Sequence, residues 1–128
     1  MQRREKVLRR WLNAVNPLVD PALEGGQFTA GNAAVRAGVA TPPERYLAQW
    51  FTLDNATGVR TPVGAATEAA SADDGVSLRA PEGITAEFLG VTVEGVHRGQ
   101  PAWRERPATF TFRRTAAGWQ HVGTQRYR

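Results

Sequence analysis

Two histidines, His97 and His121, and the adjacent carboxylates Asp73 and Asp74 are the residues of this chain whose types invite a chemical role. A metal site needs ligands clustered at short spacing. The histidines stand 24 residues apart, with no H-x-x-E or H-x-H arrangement around either. That spacing argues against zinc and makes His97 a strand-end surface residue and His121 a strand residue beside the core. Acid–base work by paired carboxylates needs a pocket that desolvates one of them. Asp73-Asp74 lies in a run of Ala, Thr and Ser, so it reads as an exposed turn, with a loosely held Ca²⁺ as the lesser alternative. Gly90 and Gly95 sit inside an alternating apolar segment and lead into no helix, as a phosphate-binding loop would require. The chain has no cysteine, which removes thiol catalysis, thiolate metal sites and disulfides together. Asn55-Ala56-Thr57 matches a glycosylation acceptor, but the same residues have a turn to make. No catalytic, cofactor-binding or metal-binding residue follows from these patterns, and the chain is expected to be no enzyme.

The aromatic residues are the other candidates. Trp50, Phe88, Phe110 and Phe112 fall on apolar phases and belong to a core. Trp103 lies in the irregular connection from Pro101 to Pro107, where no period buries it. Flanked by Arg104 and Arg106, it is a candidate surface anchor for a partner; the bland alternative is a tryptophan folded over a sheet edge.

The stretch from Arg45 to Pro62 must organise whatever positions these side chains. Tyr46, Ala48 and Trp50 share one phase of a period-two segment, and Leu47, Phe51 and Leu53 share the other, interrupted by Gln49. A strand apolar on both faces needs cover on both, and Asp54 to Gly58 supplies the turn into its return partner. Further strands are expected over Val76 to Ala80, Ile84 to His97 with a phase slip at Phe88-Leu89 that a β-bulge or a passage from one covering layer to another would produce, Pro107 to Arg113, and Trp119 to Tyr127 after a tight turn at Thr115 to Gly118. Gly64 to Gly75 has little to bury and reads as a surface connection or a weak edge. Asp20-Pro21 opens a single helical turn that Gly25-Gly26 closes, and residues 27–39 read as extended, although their alanines suit a short helix as well. Arg3 to Val15 carries Val7, Leu8, Trp11, Leu12 and Val15 at helical spacing. That helix starts uncapped with Arg3 and Arg4 at the wrong end of its dipole, as in a chain cut from a longer one, or in a frayed natural terminus.

The net charge of +4 lies in the first ten residues: five basic side chains less Glu5 give +4, leaving 11 basic and 11 acidic residues in the rest. A neutral body with one charged helix face argues against nucleic acid as a partner. The apolar runs are too short for a membrane span or a signal peptide.

WFTLDNATG at 50–58, PAWRERPATFTFRR at 101–114 and GWQHVGTQR at 118–126 together resemble the β-rich C-terminal appendages of secreted bacterial zinc-carboxypeptidase-like hydrolases. None of the zinc-ligand motifs of such peptidases is present, so no catalytic residue is carried over. The resemblance implies an extracellular, non-catalytic domain with an immunoglobulin- or fibronectin-like antiparallel sandwich. Its partner would be another protein or the remainder of a larger chain.

The expected fold is therefore mainly β: one domain over 1–128, with an N-terminal helix within 1–16 and a β-rich body over 27–128. The competing fold is an α+β cone like that of nuclear-transport-factor-like domains, binding a small ligand or acting as an enzyme, with Gln49, His121 and Arg113 lining its cavity. A helix from Thr29 to Ala37 would favour the cone.

Overall fold

The computed structural model describes residues 18–38, 40–72, 75–97, 99, 102–105 and 107–126. The expected N-terminal helix, Trp11 with it, and the Asp73-Asp74 pair lie outside the described residues. Among the described residues eight strands run in chain order: β1 Leu18–Glu24, β2 Gln27–Asn32, β3 Arg45–Leu53, β4 Arg60–Ala72, β5 Gly75–Arg79, β6 Phe88–Val96, β7 Ala108–Thr115 and β8 Gly118–Arg126. Two single helical turns, α1 Ala33–Arg36 and α2 Ala102–Glu105, interrupt them. The chain is mainly β, and every strand pairing among the described residues is antiparallel.

β1 and β2 form a hairpin in place of the helical turn expected at Pro21–Glu24. Gly25 and Gly26 stand at φ 57° and 76°, the two successive positive angles that a primed hairpin turn requires. A bulge between Val19 and Ala22 leaves Asp20 and Pro21 out of the ladder, so the proline withholds no hydrogen bond. Asp20 takes φ 54° there, and its carboxylate accepts a bond from Arg36 Nη1 at 2.7 Å.

The ambiguous segment after Gln27 divides. Gln27–Asn32 is strand, and Asn32 then caps one helical turn. Its Oδ1 accepts from the Val35 amide at 3.1 Å, while its Nδ2 donates to the Tyr46 hydroxyl at 3.0 Å. The capped turn is too short to be the long helix of a cone. Asn32 is fully buried, and with both ends of its amide engaged its removal should cost about 1–3 kcal/mol.

Two sheets share β4. One is β4-β3-β6-β7-β8; the other is β1-β2-β5, joined to the last two residues of β4 through Ser71↔Val76 and Ala72↔Gly75. They pack face to face, the arrangement of a β-sandwich. Tyr46, Ala48, Trp50, Leu89, Val91, Val93, Ala108, Phe110 and Phe112 line the first sheet's inner face, as their alternation predicts. The second sheet answers with Leu18, Leu23, Phe28, Ala30, Val76 and Leu78. Phe28 is the junction, with ring centroids 6.1 Å from Trp50, 5.6 Å from Phe110 and 6.0 Å from Phe112. β1 also approaches β8 without sharing a ladder with it.

The phase slip at Phe88-Leu89 is neither bulge nor layer change. β6 pairs with β3 in unbroken register from Phe88, so Ile84 and Ala86 simply precede the strand. Phe88 itself falls on the outer face opposite Leu53, half-buried and outside the core to which its phase assigns it.

Close approach decides which glycines are replaceable. A Cβ on Gly75 would collide with the Ala30 carbonyl oxygen, a backbone atom, whereas one on Gly31 would meet only the Arg36 guanidinium lying over it. Gly75→Ala should therefore cost about 1–3 kcal/mol in urea unfolding, as overpacking typically does. Gly31→Ala should cost less, since Arg36 can turn aside. Equal losses would contradict the packing of β5 on β2.

Candidate functional site

Trp103 is not a surface anchor. It is fully buried on α2, seated over Gly95, whose missing side chain leaves room for the indole, with the Tyr46 ring beyond. Ala34 of α1 packs on it, and Ala33, Val35 and Ala40 complete a second, small core at this end of the sandwich. Arg104, beside it, is exposed, and Arg106 lies outside the described residues. A short helical turn buried the tryptophan without any long-range period.

His97 holds the same end. Its ring stands edge-on to Trp103 at 5.0 Å. Nδ1 accepts the Gly99 amide at 2.9 Å, leaving Nε2 as the donor to Thr41 Oγ1 at 2.9 Å. The expected strand-end position is borne out, but the residue is half-buried and ties two loops together. His121 lies on β8, its ring 5.6 Å from Phe112, with Nε2 donating to the Gly123 carbonyl at 2.9 Å.

The register separates the three polar residues that would line a cone's cavity. His121 pairs with Phe112 and so lies on the core-facing side, whereas Gln49 and Arg113 lie on the outer face. Those two are themselves four residues apart along β6, through Thr92 and Phe88, or about 13 Å. Arg113 donates to Glu87 at 3.0 Å, an exposed pair of small energetic consequence. Among the described residues, no three His, Asp or Glu side chains are grouped as a metal site would need. None of the helices among these residues is long and apolar enough to cross a membrane.

Gln49 has a structural task that its polarity alone did not disclose. β4 bulges between Val63 and Thr67, opposite Ala48 and Trp50, with Gly64 at φ 70°. Gln49 Nε2 reaches into this bulge, donating to the carbonyls of Gly64 at 3.1 Å and Trp50 at 2.9 Å. The bulge bends β4, which then reaches β5 with its last two residues. Trp50 Nε1 is buried in the core with no acceptor among the described residues.

The most distinctive surface is the outer edge of β4. Residues 60–63 and 67–68 pair with β3 on one side, and no strand among the described residues pairs with the other side of this run. All are exposed except the half-buried Val63. The low-complexity run after Gly64 is thus the weak edge that its composition suggests. An open edge presents alternate backbone N–H and C=O groups to whatever can pair with them. Pro62 removes one donor and the bulge at Gly64 breaks the regularity, so the edge resists indiscriminate pairing.

The outer face of the five-stranded sheet is curved. Arg60, on the edge strand β4, donates to Gln125 Oε1 on the opposite edge strand β8 at 3.2 Å, although four strand spacings in a flat sheet span about 19 Å. The guanidinium crosses over the Phe51 ring, 4.8 Å from its centroid, and Phe51 in turn lies over Gly90. Comparisons of the chain with protein-family models, with characterised proteins and with solved structures found no match.

Proposed function

We propose that this chain is a non-catalytic accessory or interaction domain of a larger secreted bacterial protein, of the kind appended to zinc-carboxypeptidase-like hydrolases. Its sandwich would be immunoglobulin- or fibronectin-like, led by an amphipathic N-terminal helix, and its partner another protein or the remainder of its own chain. The observation that carries this reading is the exposed edge of β4 from Arg60 to Glu68, with whose outer side no strand among the described residues pairs. Such an edge is suited to adding an extended segment as a further strand. Its proline and bulge restrict the partners to those that fit an irregular ladder.

A thermal-shift screen with metals, nucleotides and small apolar ligands, followed by amide-shift mapping with extended peptides, tests this. The expected result is no stabilisation in the screen and peptide-induced shifts centred on Arg60 to Glu68. A saturable, concentration-dependent rise in Tm with one of the small ligands would favour the ligand-binding alternative instead.

A further inference from the structure

We propose that residues 3–15 dock as an amphipathic helix on the outer face of the five-stranded sheet. This rests on the helix included in the proposed function and adds where it binds. Three observations support it. The register places Leu47, Phe51, Leu53, Phe88 and Val96 on that face, the one turned away from the second sheet. Two residues near its middle are shielded: Phe51 is 5% exposed and Thr109, bonded to Thr92 at 3.0 Å, is 2% exposed. Arg60 lies over Phe51 and bonds Gln125, the partner of Thr109, but one side chain spans only part of a five-stranded face, so burial this complete calls for a further cover.

The length of the preceding segment also fits the face. Leu18 opens β1, which lies beside β8 at the edge of this sheet, so the preceding segment starts next to the face. A helix of 13 residues is about 20 Å long, and the three strand spacings from β8 to β3 span about 14 Å. Trp11, Leu8, Leu12 and Val15 would lie against Leu47 and its neighbours, leaving the arginines in water with their stems along the apolar surface.

The chain has no cysteine, so a single spin label can be placed at Asn13→Cys in the full-length protein. Docking predicts strong paramagnetic broadening of the Leu47 and Val96 methyls and the Thr109 amide, with Leu23 and Leu78 of the other sheet left sharp. Trp11→Ala in the labelled chain should reduce the broadening several-fold. Carbon chemical shifts of residues 3–15 report the helix separately. Helical shifts without broadening at Leu47 would overturn the docking while leaving the helix in place; broadening at Leu23 and Leu78 instead would put the helix on the wrong sheet. Absence of helical shifts would remove both the docking and the helix of the proposed function, while leaving the β4 edge to be judged by its own peptide mapping.

Discussion

Phe28→Ala should destabilise the protein by about 3–5 kcal/mol, a large part of the stability that a domain of this size has. Phe28 is fully buried and is the ring through which the second sheet meets Trp50, Phe110 and Phe112 of the first. Truncating it removes the transfer free energy of the side chain and leaves a cavity bounded by three rings, which cannot collapse without separating the sheets from their present spacing. Phe88→Ala is the control, because Phe88 is half-buried on the outer face. Urea unfolding followed by circular dichroism should give a clearly larger loss for Phe28. Equal losses would mean that Phe28 is not where the layers are held.

Trp103→Ala should cost a similar amount, about 3–5 kcal/mol, for a different reason. The indole fills the space over Gly95 and carries the packing of both helical turns, α1 through Ala34 and α2 through its own backbone. Its loss should loosen the whole end of the sandwich, including the edge-on contact with His97. Trp103→Phe should retain part of the stability. If Trp103 were an exposed anchor, the alanine variant would melt with the parent protein and only binding would suffer.

Much of the sandwich was legible in the sequence because period-two alternation reports burial on a half-covered sheet. Tyr46, Ala48 and Trp50 on β3, and Ala108, Phe110 and Phe112 on β7, point where their phases say. The errors came where local chemistry outweighed the pattern. Asp20-Pro21 has the form of a helix start, but burial of Leu18 and Leu23 and the two positive-φ glycines made a hairpin, with Pro21 set in a bulge. Asn32 ended the extended segment because its side chain could cap a turn and reach Tyr46 at once. Trp103 had no periodicity to read, since one helical turn is too short to show one. Gln49 was visible only as a polar interruption; its partner, the Gly64 carbonyl in a two-residue excess on the facing strand, is a property of the register and not of either segment alone.

Residue-resolved amide exchange across β4 tests the central claim, an open strand edge on a β-sandwich, most directly. The account predicts alternation over the paired residues 60–63 and 67–68, Pro62 having no amide: amides turned toward β3 are protected, while those turned outward and those of the bulge at 64–66 exchange near solvent rates. Uniform protection along all these residues would contradict it, because the edge on which the proposed interaction depends would already be covered.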